Sequence, residues 1–132
     1  MFVDTSAIVA ILASEPEGPA FAAKLELAPN AISAGHVILE ASMRLSTLLG
    51  FSPTLADDLV TRLLREAAIT VVPITEDIAH GAVAAFERYG KGRGSEANLN
   101  FGDCLSYACA KAHDAALLFK GNDFARTDIV RA

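Results

Sequence analysis

The feature that most constrains the fold is an alternation of two kinds of segment. Short apolar runs at residues 1–3, 31–33, 69–74 and 116–119 are separated by longer stretches in which apolar residues recur at helical spacing. The short runs read as strands. The stretches 7–13, 19–27, 35–49, 53–68, 75–89 and 103–113 read as helices. Thr5 or Ser6 can cap the first helix, Pro29-Asn30 stops the second, and Gly50 closes the third. Thr75 caps the fifth, with Glu76 and Asp77 in its first turn. Residues 91–100 lack periodicity and hold two glycines, so they read as a loop, and 122–130 begins at most one more helical turn. Strands alternating with helices form a parallel sheet with helices on both faces, an α/β chain. In such sheets ligands bind beyond the carboxyl ends of the strands. The residues that follow the strands are therefore the ones to examine.

The chain has 132 residues, enough for one domain and one core. With 52% hydrophobic and 20% charged residues it is not a disordered chain. No uninterrupted apolar stretch reaches the ~18 residues of a membrane span. Met1-Phe2-Val3-Asp4 lacks the basic start of a secretory signal. Cys104 and Cys109 stand five apart, where one helix points them to different faces, so they read as small buried thiols and not as a disulfide. No Cys/His cluster suggests zinc. These signs predict a reduced, cytoplasmic domain. The formal charge of −5, taken alone, argues against a broad basic face for a polyanion.

Four acids do not look like surface acids. Asp4 follows an apolar strand, and Glu40 sits in the apolar stretch Val37-Ile38-Leu39-Glu40-Ala41. Asp103 opens a helix, and Asp123 follows the last strand after Lys120-Gly121-Asn122. Each has an ordinary explanation alone: a cap for Asp4, an ion pair with Arg44 for Glu40, a helix-dipole charge for Asp103, a turn residue for Asp123. Together they fit one chemical account. Carboxylates brought together at the carboxyl end of a parallel sheet repel unless a cation joins them. Mg²⁺ or Mn²⁺ takes oxygen ligands of this kind. An ion held so lowers the pKa of bound water and neutralises a phosphate under attack, which points to phosphodiester hydrolysis. Removing the four acids from the charge leaves −1 for the rest of the chain, so the acidity does not exclude a nucleic-acid partner.

The segments Met1-Phe2-Val3-Asp4-Thr5-Ser6-Ala7, Glu40, Gly102-Asp103-Cys104-Leu105-Ser106-Tyr107-Ala108 and Leu118-Phe119-Lys120-Gly121-Asn122-Asp123-Phe124, in that order, resemble the PIN domain. More narrowly, they resemble the VapC toxins of bacterial type II toxin–antitoxin modules, over essentially the whole of residues 1–132. The resemblance implies a single three-layer α/β/α domain with a short central parallel sheet, and a Mg²⁺-dependent endoribonuclease. Its acidic quartet falls on Asp4, Glu40, Asp103 and Asp123, with Asp4 and Asp103 as the most direct metal ligands. Glu40 and Asp123 complete the shell and position or deprotonate the attacking water. Thr5 or Ser6 matches a supporting hydroxyl beside the first acid. Asp128 matches a recurring auxiliary acid, or else a tail cap. The products implied are a 5′-phosphate and a 3′-hydroxyl.

The run Arg88-Tyr89-Gly90-Lys91-Gly92-Arg93-Gly94 leads into Asp103 and is expected to border the active-site groove. Arg88, Lys91 and Arg93 would attract RNA, and Lys120 and Arg126 flank Asp123 and could add to it. His36, His80 and His113 read as cap, surface or core residues. Phe21, Phe51, Phe86, Phe101 and Phe119 read as core or interface filling. The apolar helices 7–13 and 19–27, with the leucine-rich 55–64, offer more apolar surface than a small core hides. The resemblance supplies occupants for it: the C-terminal segment of a VapB-type antitoxin, and a second copy of the chain.

A haloacid-dehalogenase-like phosphatase needs a second Asp two residues after the first, where Ser6 stands. A receiver domain needs an accepting Asp after a middle strand, where Thr75-Glu76-Asp77 opens a helix instead. The remaining alternative is a catalytically silent PIN-fold module that holds RNA or a partner without cutting.

Overall fold

The computed structural model describes residues 1–132. Four short strands, β1 (Phe2–Val3), β2 (Ile32–Ala34), β3 (Thr70–Val72) and β4 (Leu117–Leu118), form one parallel sheet in the order β3-β2-β1-β4. The helices are α1 (Thr5–Leu12), α2 (Gly18–Leu27), α3 (Gly35–Leu49), α4 (Pro53–Glu66), α5 (Glu76–Tyr89) and α6 (Phe101–Ala112), followed by a 3-10 turn at Phe124–Arg126. The expected alternation is present, with element ends shifted by one or two residues. Caps decide those ends. Ser52 and Thr75 accept from Leu55 N–H and Ile78 N–H at the starts of α4 and α5. Gly50 ends α3 in the left-handed conformation, φ 67°, where glycine carries no Cβ penalty.

The topology positions the site. From β1 to β2 to β3 the chain steps one way along the sheet, and from β3 to β4 it steps back past β2 and β1. Right-handed crossovers then put α1–α4 on one face and α5–α6 on the other, giving three layers. The packing agrees: α3 lies on α4 and α1, and α5 lies on α6. The reversal falls between β1 and β4, whose register pairs Phe2 with Leu117 and Val3 with Leu118. A crevice opens beyond the carboxyl ends of strands at such a reversal. The outer edge of β4 is covered by the tail, through Leu117 N–H to Val130 O and Ala132 N–H to Leu117 O.

The core is built on both faces of this small sheet, with Phe2, Val3, Ile8, Val9, Val37, Leu45, Val60, Leu117 and Leu118 essentially fully buried. Cys104 and Cys109 are free thiols within it. One expectation is corrected. Residues 7–10 of α1 are buried core, not a partner face, because α1 packs against α2, α3 and α4. Exposed apolar side chains elsewhere include Leu27 on α2, Leu39, Met43 and Leu48 on α3, Leu55 on α4, Val83 and Phe86 on α5, and Phe101 at 84% exposure. Val83, Phe86, Leu99, Phe101 and Leu105 line a groove of about 650 Å³ between α5 and α6. No helix is long and apolar enough to cross a membrane.

Candidate active site

β1 ends at Val3, and the next carboxylate is delivered straight into the crevice. Asp4 is 4% exposed. It is itself the N-cap of α1, a correction to the expectation that Thr5 or Ser6 caps: its Oδ2 accepts from Ser6 N–H at 2.9 Å and from Ser6 Oγ–H at 2.6 Å. Its Oδ1 accepts from Ser106 Oγ–H of α6 at 2.8 Å. The backbone ties the same corner to β4, with Asp4 N–H on Leu118 O at 3.1 Å and Lys120 N–H on Ser6 Oγ at 3.0 Å. Ser6 therefore joins the two strands that flank the crevice, while Thr5 turns the other way and donates to Glu40 Oε2 at 3.1 Å.

Glu40 projects from α3 and is half-buried. Arg44, one turn on, does not form the ion pair expected as its ordinary rescue. The Glu40 carboxylate lies against Gly102 instead, inside the space a Cβ there would need. Burial pushes the Glu40 pKa up, and the charge of Asp4 adds to it, against the Thr5 hydrogen bond and the more distant Arg44.

Asp103 is the third residue of α6 and half of a capping box. Its Oδ2 accepts from Asn100 N–H and its own N–H donates to Asn100 Oδ1, both at 2.9 Å. Its carboxyl is pushed up to about 6, first by burial and then by the charges of Asp4, Asp123 and Glu40, with the Asn100 hydrogen bond opposing. Asp123 is exposed and precedes the 3-10 turn. Three of the four acids thus crowd from β1, α3 and α6, and the fourth approaches from the solvent side. None of the seven ion pairs in the molecule engages any of them. No three acidic, His or Cys side chains are drawn tightly enough together to grip an ion as they stand.

The remaining candidates are distributed differently from the sequence expectation. Lys120 points its ammonium at Glu15 (2.8 Å) and Glu17 (3.1 Å). Arg126 pairs with Glu96 at 2.9 Å, and Arg88 lies over the Tyr89 ring with Asp128 at 3.9 Å. Lys91 and Arg93 have no carboxylate partner; Arg93 sits over Phe86 and Lys91 lines the apolar groove. Asp128 takes hydrogen bonds from the hydroxyls of Tyr107 and Tyr89 and from Lys111, which together hold its pKa down. These contacts fasten the tail to α5 and α6.

Two residues of the site escaped the sequence reading. Ser106 donates to Asp4, and His36 Nε2 lies 3.0 Å from Ser106 Oγ. The available signal was spacing: Ser106 is three residues after Asp103 and His36 four before Glu40, the same helix faces as those acids.

The donor set fits a hard divalent cation. It is all carboxylate, it forms no ion pair, and the neighbouring acids add to the raised pKa of Glu40 and of Asp103, the imbalance that a 2+ charge offsets.

Comparison with known proteins agrees with this arrangement. The PIN domain family model matches residues 1–130. Ribonuclease VapC28 of Mycobacterium tuberculosis is 42% identical over 136 aligned residues, spanning all of this chain and 97% of that protein. Ribonuclease VapC of Mycolicibacterium smegmatis is 38% identical over 129, spanning 98% and 97%. Among solved structures, Mycobacterium tuberculosis VapC20, a sarcin–ricin-loop-cleaving toxin, superposes with a TM-score of 0.77 at 19% identity over 99% of this chain and 97% of that one. A toxin–antitoxin complex from Klebsiella pneumoniae gives 0.70 at 20% over 99% and 95%. By sequence over its whole length and by fold, the chain belongs to the PIN-domain family and, within it, to the VapC ribonucleases.

Proposed function

We propose that residues 1–132 act as one PIN domain: a Mg²⁺-dependent endoribonuclease, with Mn²⁺ as a substitute, serving as the toxin of a type II toxin–antitoxin pair. The observation that supports the reading is that Asp103 feels the charges of Asp4, Asp123 and Glu40, while none of the four acids forms an ion pair. Asp4 and Asp103 would hold the ion most directly, and Glu40 and Asp123 would complete its surroundings. When bound, the ion supplies a nucleophilic water at neutral pH and neutralises charge on the phosphate. The chain's own part is positional. Asp4 is fixed through both oxygens, and Thr5 holds Glu40 by Oε2, which leaves Oε1 to accept a proton from the attacking water. Lys91 and Arg93, uncommitted to any carboxylate, would attract the RNA backbone.

The exposed apolar side chains of α3 and of the α5–α6 groove would serve a VapB-type antitoxin and a second copy of the chain. The cytoplasm, where RNA and reduced thiols coexist, is the compartment proposed. The test is cleavage of structured RNA with Mg²⁺ and its loss with EDTA. Asp4→Ala and Asp103→Asn should remain folded by circular dichroism and lose at least ~10³-fold in rate. Parental cleavage by both variants sinks the quartet. Tight RNA binding without cleavage by the parent identifies a silent binding module instead.

A further inference from the structure

The nuclease reading leaves His36 and Ser106 without a role. Both are held too firmly to be incidental. Ser106 is fully buried on α6. Its hydroxyl has one proton, which it donates to Asp4 Oδ1. Ser106 Oγ is then left only lone pairs for His36 Nε2 at 3.0 Å. The imidazole must be the Nε2–H tautomer, donating to Ser106. The other nitrogen agrees: Nδ1 is buried with no hydrogen-bond partner, a situation tolerable for a lone pair and costly for an N–H. The ring plane is held by the buried Phe2, stacked at 6.4 Å with 16° between planes.

Resting on the nuclease reading, we infer that the relay His36 Nε2–H → Ser106 Oγ–H → Asp4 Oδ1 is a positioning device for the metal-binding carboxylate. Ser6 fixes Oδ2 from the α1 side and Ser106 fixes Oδ1 from the α6 side. Oδ2 accepts twice from Ser6 and Oδ1 once from Ser106, so Oδ1 keeps a lone-pair direction for a ligand and Asp4 meets a cation already oriented. His36 sets the direction of the chain of bonds. With the opposite tautomer Ser106 would donate to the ring, and Asp4 would lose a donor. Partners that orient a metal ligand typically account for ~10–100-fold in affinity or rate.

The experiment uses the full chain and Mn²⁺ as probe. Mn²⁺ affinity is read by titration calorimetry, and kcat and KM are read on one RNA substrate. Ser106→Ala should weaken Mn²⁺ binding and lower kcat about tenfold, with KM for RNA little changed. His36→Asn, whose amide is too short to reach Ser106, should do the same. His36→Gln, which carries an N–H at about the position of Nε2, should restore both. The Ser106→Ala/His36→Asn double variant should be no worse than Ser106→Ala, since both act through one bond. A role in folding alone would lower melting temperatures and leave Mn²⁺ affinity intact well below them. Affinity and kcat within twofold of the parent in both single variants overturn the inference while the nuclease reading stands. A parent that neither binds Mn²⁺ nor cuts RNA overturns both.

Discussion

Gly102 lacks a side chain where the Glu40 carboxylate occupies the space one would start from. An added methyl there meets only the far end of a flexible side chain, and alanine is the better helix former by ~1 kcal/mol. Gly102→Ala should therefore melt within about 1 kcal/mol of the parent while pushing Glu40 off Thr5 and cutting the cleavage rate; equal rates in both proteins would remove Gly102 from the site. Asp103 offers a second test. Its folded pKa of about 6 lies above the ordinary carboxylate value of 3.8. A raised folded pKa means that the folded state holds the proton more tightly, so the stabilisation is complete below about pH 4 and is lost as pH rises through 6. Glu40 shifts in the same direction, and Asp128, whose pKa is lowered, works oppositely at the acid end. The ion-free protein should thus lose on the order of 1–2 kcal/mol between pH 4 and 7.5, after allowance for solvent screening. Thermal melts in EDTA should show this, and Asp103→Asn should flatten it. All four acids were legible in the sequence because charge beside apolar residues demands an explanation. Ser106 and His36 were not, since a serine on a helix is unremarkable until its partner, 102 positions away, is known.

Helix α6 serves two ends at once. Its capping box satisfies backbone donors at the N-terminus and fixes Asp103, so local stability and site geometry share the same bonds. Asn100→Ala should cost ~1 kcal/mol in urea unfolding, Asn100→Ser should recover most of it, and an unchanged midpoint in the alanine variant would mean that water replaces the cap. The elements themselves were legible to within two residues because caps and breakers are local signals. Whether α1 is inside or outside was not. A helix apolar all round is either a partner surface or a core element, and only the stepping order of the strands decides for the core. The partners of Lys120 were not legible for a related reason: Asp123 is three residues on, but its ammonium answers to Glu15 and Glu17 on the loop between α1 and α2.

Over the whole molecule the charge of −5 is unevenly spent. Six ion pairs between Lys or Arg and carboxylates, with His80 beside Glu76, tie down surface charge, and the four acids enter none of them, nor do Lys91 and Arg93. Replacing Lys91 and Arg93 by Ala should reduce the salt dependence of RNA binding by a slope of about 1–1.5, whereas Lys120→Ala, already neutralised, should leave the slope alone. Filter binding across a salt series would distinguish them, and a larger change for Lys120→Ala would reverse the assignment. The order of the strands has a further consequence, for synthesis. β1 emerges from a ribosome first, yet its place is between β2 and β4, and Ser6 finds the backbone of Lys120 across 114 residues. Contacts this distant form late. A nascent chain therefore carries Asp4 and Glu40 for most of its translation without owning a pocket, and the crevice is completed only as the final strand docks.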